Sequence, residues 1–206
     1  MSMMTALLLA AVAQANAADV LWPITKADGV IAVGQHGARF GATELKVIVV
    51  AWADGRIVWS EDPLAGGPPY RSGAAQPARV ATLLQRLERD GALTDKRLGQ
   101  ANWGPDSHFT FIFVKKGALE LRMESWHELS ESRGGVAASY GLTAVPEGQT
   151  RLGFLRKEPA DYLYYRLAWA EIRFLASSLI PIEGKPTEGR PVMEAGILSW
   201  QDRSRK

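Results

Sequence analysis

Few side chains in this sequence are equipped for chemistry, and those few set the argument. There are three histidines and no cysteines. Disulfides, thiol catalysis, iron–sulfur clusters and Cys-based zinc sites are therefore excluded. His108 and His127 both lie in the stretch DSHFTFIFVKKGALELRMESWHE, which begins at Asp106 and also holds Glu124. A carboxylate beside an imidazole raises its basicity and orients the ring, which suits proton transfer or metal ligation. Asp106, His108 and Glu124 are the candidate catalytic residues.

The elements that would position them follow from alternation. Phe109, Phe111 and Phe113 alternate with Thr110 and Ile112, and Leu119, Leu121 and Met123 alternate with Glu120, Arg122 and Glu124. This is the period of two strands. A three-residue loop over Lys115-Lys116-Gly117, with Gly in the left-handed position, makes them a hairpin. The expected register pairs Phe113 with Leu119, Phe111 with Leu121, Phe109 with Met123, and His108 with Glu124. One face is then wholly apolar, and a one-residue slip would mix the faces. His127 reaches this site only if the chain bends at Trp126, and His36 only through tertiary folding.

No metal is assigned, because HxH, HxxxH and HExxH spacings are all missing. As a solvated surface pair, His108 and Glu124 would contribute a few tenths to about 1 kcal/mol. Nucleophilic hydrolysis has no support. There is no G-x-S-x-G elbow, and Ser107 and His108, adjacent on a strand, point to opposite faces. With 22 acidic residues in the chain, a glycosidase-like carboxylate pair carries no signal.

Gly34, Gly37 and Gly41 follow the apolar run Val30–Val33 and invite a nucleotide-binding reading. The spacing is G-x-x-G-x-x-x-G rather than G-x-G-x-x-G, and the distance to the next strand leaves no room for a crossover helix. The segment is expected to be a turn-rich connector, and no cofactor is assigned. Tyr70 and Arg71 sit in the Gly/Pro-rich segment Asp62–Gln76, which is expected to be a long loop. Together with His127 they are the candidate ligand-binding residues. Trp52 and Trp59 are expected to close the end of the core.

The remaining elements are legible by type. Lys46–Trp52 is rich in β-branched residues and reads as a strand, returning after Ala53-Asp54-Gly55 as Arg56–Ser60. Pro77–Asp90 carries Val80, Leu83, Leu84 and Leu87 as one helical stripe, with Gly91 at the cap. Pro159–Leu179 is the longest helix, with one stripe of Leu163, Leu167, Ala170 and Phe174 and another of Tyr162, Tyr165, Trp169 and Ile172. Two apolar faces predict burial on more than one side. A short helical turn is expected over Arg151–Lys157, a polar loop over Glu183–Arg190, and a last strand over Ala195–Trp200.

The 206 residues fit one α+β domain over residues 18–206, an antiparallel sheet from two hairpins with two main helices packed on one face. The net charge of +2 is matched by the last five residues alone, so nucleic acid is not an expected partner. Thr5–Ala13 is a short apolar run before the small-x-small triplet Ala15-Asn16-Ala17. Residues 1–17 therefore read as a signal peptide, and the mature chain as periplasmic or secreted. The run is about half the ~20 residues of a transmembrane anchor.

The motifs VIVVAWADGRIVWS, PARVATLLQRLERDGAL and a second hairpin opening with GPDS resemble uncharacterised small exported bacterial proteins. The resemblance covers roughly residues 46–127 and implies an α+β fold and export, with no activity to transfer. The expected function is a cell-envelope binding module for a protein or small-molecule ligand. The alternative is a metal-assisted or acid–base enzyme centred on the second hairpin.

Overall fold

The computed structural model describes residues 20–39, 42–100, 102–103, 108–125 and 135–203, with the backbone alone at 37–39, 42–44, 102 and 108–109. In chain order the strands are β1 (Val20–Pro23), β2 (Val30–Arg39), β3 (Ala42–Trp52), β4 (Arg56–Ser60), β5 (Tyr70–Ala74), β6 (Asn102–Trp103), β7 (His108–Lys116), β8 (Leu119–Ser125), β9 (Val136–Ala138), β10 (Gly141–Thr143), β11 (Lys185–Thr187), β12 (Arg190–Glu194) and β13 (Ile197–Asp202). The helices are α1 (Pro77–Arg89), α2 (Lys96–Gly99), α3 (Arg151–Leu155) and α4 (Ala160–Ser177).

Eight strands form the main sheet in the order β11-β5-β4-β3-β2-β7-β8-β6. All neighbours are antiparallel except β6, which pairs parallel with the end of β8. The fold is α+β, with few helices and one large antiparallel sheet. Both faces of the sheet are covered. On one face, Ile31, Ile48, Ala51, Ile57, Ile112 and Val114 pack against α1 and α4. On the other, Val30, Ala32, Val50, Trp52, Phe111 and Phe113 pack against Leu198 and Trp200 of a second sheet, ordered β1-β13-β12. Trp52 and Trp59 are both buried, one on each face.

α1 forms where its apolar spacing and Pro77 place it. Val80, Leu83, Leu84 and Leu87 are all buried, each contributing about 1.5–3 kcal/mol of apolar transfer. Gly91 follows with φ 79°, the left-handed conformation that ends the helix. α4 buries Tyr162, Tyr165, Trp169, Ile172 and Ala176. Its other stripe is not covered: Leu167 is 70% and Phe174 72% exposed. The expected burial on two sides is corrected. The sheet offers α4 one contact face, and α1 and α2 lie beside it rather than over it.

The glycine-rich segment is also corrected. Gly34 to Arg39 is not a connector but the second half of β2, paired with β3 on one side and β7 on the other. Gly34 lets these strands close together. A Cβ there would lie 2.5 Å from the Lys46 carbonyl oxygen and 2.6 Å from the Phe111 ring. A bulge beside it, where Val33 faces Val49 but Gly34 faces Val47, shifts the parity of β3. Val50 and Trp52 thus share a face with Val47 and Leu45.

The second hairpin exists, but its register differs from the expected one. Ile112 faces Met123, Phe113 faces Arg122, Phe111 faces Glu124, and Lys116 faces Leu119. The loop is two residues, Gly117-Ala118, with Gly117 at φ 58° in the first central position, where a type II′ turn takes glycine. The shift is odd, so the faces exchange partners. Ile112 and Val114 share a face with Leu121 and Met123, while Phe111 and Phe113 share the other with Arg122 and Glu124. The expected pairing of His108 with Glu124 does not occur: the backbone of His108 pairs with Gly37.

Short strands occupy segments expected to be irregular. β1 lies just after the expected signal peptide, β5 in the expected 62–76 loop, and β11 in the expected 183–190 loop. β12 and β13 meet at Ala195-Gly196, both with positive φ (47° and 76°), as a type I′ turn requires.

Candidate functional site

The two sheets do not close along their whole length. Between them lies a cleft of about 530 Å³, within the range of small-molecule sites. Leu45 of β3 and Phe111 and Phe113 of β7 form one wall. Pro191, Met193 and Leu198 of the β12–β13 hairpin form the other. His36, Arg122 and Thr25 supply its polar groups.

His36 is delivered by β2. It is two residues beyond Gly34, so it projects from the same face. The space left at Gly34 seats the Phe111 ring, whose centroid is 6.1 Å from that of His36. Arg122 and Glu124 alternate with Leu121 and Met123 on β8. Burial of the latter pair under the helices sends the former pair to the cleft side. From the helix side, the Tyr165 hydroxyl donates to the Glu124 carbonyl at 2.6 Å, and Thr110 Oγ1 donates to the Ser125 carbonyl at 2.6 Å. The Glu124 backbone is thereby held while its side chain faces the other way. Burial raises the Tyr165 hydroxyl pKa well above the usual phenol range, so it stays a donor.

The charged groups converge on one atom. Arg122 donates from Nε and Nη2 to Glu124 Oε1, both at 2.8 Å. His36 Nε2 is 3.6 Å from the same oxygen, a close electrostatic contact but longer than a direct hydrogen bond. His36 foremost, and Arg122 after it, hold the Glu124 carboxyl below the ordinary glutamate range, against partial burial, which pushes it up. Among the described side chains, the imidazole beside Glu124 is that of His36. His36 could not be paired from the sequence, because β7 lies between β2 and β8.

Among the other sequence candidates, Asp106 and His127 lie outside the described residues, and His108 is described in its backbone alone. Tyr70 is a core residue, 5% exposed, with its ring edge-on to Trp200 at 4.9 Å and its hydroxyl accepting the Val47 N–H at 3.3 Å. Arg71 pairs with Glu61 at 3.0 Å and donates to the Gly184 carbonyl, which ties β5 to the segment before β11. Neither residue lines the cleft. Among the described residues no three metal-ligating side chains gather, and no helix is long and apolar enough to cross a membrane.

Comparison with known proteins adds no relative: no family model, curated protein or solved structure matches this chain.

Proposed function

We propose that this chain is a binding module that takes a small molecule with an apolar body between its two sheets. The observation that carries the reading is the cleft itself. Two sheet faces that elsewhere bury against each other leave an apolar-walled space with polar groups at a few positions. Ligand sites have this composition, with apolar walls for affinity and sparse polar groups for orientation. The test is calorimetric titration with 1-decanol, an uncharged probe, against the wild type and Met193→Trp. Met193 is 55% exposed on the cleft wall, so a larger side chain there should narrow the cleft without costing stability. Saturable binding weakened by Met193→Trp supports the reading, and absence of saturable binding removes it.

The acid–base enzyme remains as a second reading because one observation favours it: His36 and Glu124 meet beside the cleft at 3.6 Å. Its centre is then His36 with Glu124. Turnover of a cleft ligand that disappears in His36→Ala, with binding retained, would establish it. The envelope placement rests on residues 1–17, and N-terminal sequencing of the mature chain tests it. A chain still carrying those residues would count against export.

A further inference from the structure

The cleft's polar groups also specify which end-group a ligand must carry. This step rests on the cleft reading above and adds the ligand's charge class. Among the described residues, the polar side chains lining the cleft are Thr25, His36 and Arg122, with no carboxylate among them, and Arg122 holds the Glu124 carboxylate. Thr25 Oγ1 already accepts the Leu198 N–H at 3.1 Å, which leaves its hydroxyl proton to donate. Thr25 therefore offers a donor to the cleft's contents.

Arg122 has donors to spare. Its two bonds to Glu124 leave from Nε and Nη2 and end on one oxygen. Nη1 has no partner among the described residues. A guanidinium carries five N–H groups in a planar fork and can hold two anions at once on different edges. A second anion on the free edge need not displace Glu124. That neighbour limits the charge of the second anion. Arg122 and Glu124 sum to zero, so a dianionic head such as a phosphate monoester would add a second negative charge close to the carboxylate. A monoanion adds less repulsion and can still bind in a bidentate manner. An ammonium head would meet Arg122 instead of an acceptor.

We propose that the cleft takes a monocarboxylate with an extended apolar body, its head on Arg122 and its body between Phe111, Phe113, Met193 and Leu198.

The test compares four probes with one ten-carbon body: decanoate, 1-decanol, decylammonium and decyl phosphate. Each is titrated by calorimetry against the full chain at neutral pH, below its micellar concentration. The expected result is decanoate binding about tenfold tighter than 1-decanol. In Arg122→Gln, that advantage should shrink to about twofold, because decanoate loses a charge-assisted pair and 1-decanol at most a neutral hydrogen bond. Arg122 is 60% exposed, so its replacement leaves the core intact. Glu124→Gln supplies a second check, tightening decanoate and narrowing its lead over decyl phosphate. Decanoate no tighter than 1-decanol, or decylammonium or decyl phosphate tightest of the four, overturns the head-group assignment and leaves the cleft reading standing. Failure of all four to bind overturns the cleft reading itself.

Discussion

His36 Nε2 stands 3.6 Å from Glu124 Oε1 although β7 runs between their strands. The contact passes over Phe111, which pairs directly with Glu124 on β8 and with Gly34 on β2. A residue with no side chain at 34 thus lets two polar groups meet across an aromatic ring.

The first prediction concerns acid. The Glu124 carboxyl is lowered in the folded state. Its stabilisation is present above the unfolded glutamate value of about 4.3 and is lost as pH falls through the folded value. Glu124→Gln should lose a few tenths to about 1 kcal/mol at neutral pH, a small figure because the side chain is 35% exposed and solvent screens it. The variant should also lack this part of the wild type's decline in acid. Urea unfolding from about pH 6 to about pH 3 measures both. Parallel curves for the two proteins would contradict it.

A second prediction tests the close approach at β2. Gly34→Ala places a methyl group 2.5 Å from a backbone oxygen that cannot rotate away. A loss of about 1–3 kcal/mol is expected, the range for overpacking. Denaturant midpoints measure it, and a neutral effect would mean that β2 and β3 are spaced differently.

The hairpin register makes a third. Ile112 and Met123 face each other on the buried helix side. A double-mutant cycle to alanine at these two positions should show coupling of about 0.5–1 kcal/mol. The cycle at Phe113 and Leu119, partners in the alternative register, should show almost none. The reverse result would restore the three-residue loop.

α4 provides the fourth. Trp169→Ala should cost about 3–5 kcal/mol as a buried aromatic, whereas Leu167→Ala and Phe174→Ala should stay within about 0.5 kcal/mol. Equal losses on both faces would show that something covers the outer one.

What could be read from residue types depended on how many faces an element buries. α1 has one apolar stripe and one neighbour to meet, so its four buried residues and its caps were legible. The DG turn at Asp54-Gly55 had a local signature, and β3 and β4 pair around it. β7 had no such signature, because Phe111 and Phe113 bury on one side and Ile112 and Val114 on the other. When both faces are apolar, alternation no longer selects a register, and turn chemistry decides. Gly117 fits the last position of a three-residue loop or the first of a two-residue loop equally well. The second sheet was missed for a related reason. β1 and β12 are short and interrupted by Pro23 and Pro191, and they become strands only by pairing with β13.

The site was legible in part. Glu124 was a candidate in the sequence, and the imidazole expected beside it was that of His108. The partner itself was hidden, since His36 lies 88 positions away in a segment whose glycines read as a loop. Arg122 gave no sign of its place beside Glu124 and the cleft, because a basic residue alternating along a strand reads as solvated surface. Tyr70 was singled out for its place in a Gly/Pro-rich segment, but the short strand β5 turns it inward.

The pairing of β1 with β13 sets Val20 opposite Asp202. It joins segments about 180 residues apart, and loop-closure entropy disfavours forming such a contact early. The main sheet and its helices can assemble first, with Phe111 and Phe113 still open to water. In that order one wall of the cleft forms first, and docking of the β12–β13 hairpin completes the other. Ligand binding would then report a completed fold, and a nascent chain stalled before β12 would present a greasy, half-built surface to whatever chaperone surveys it.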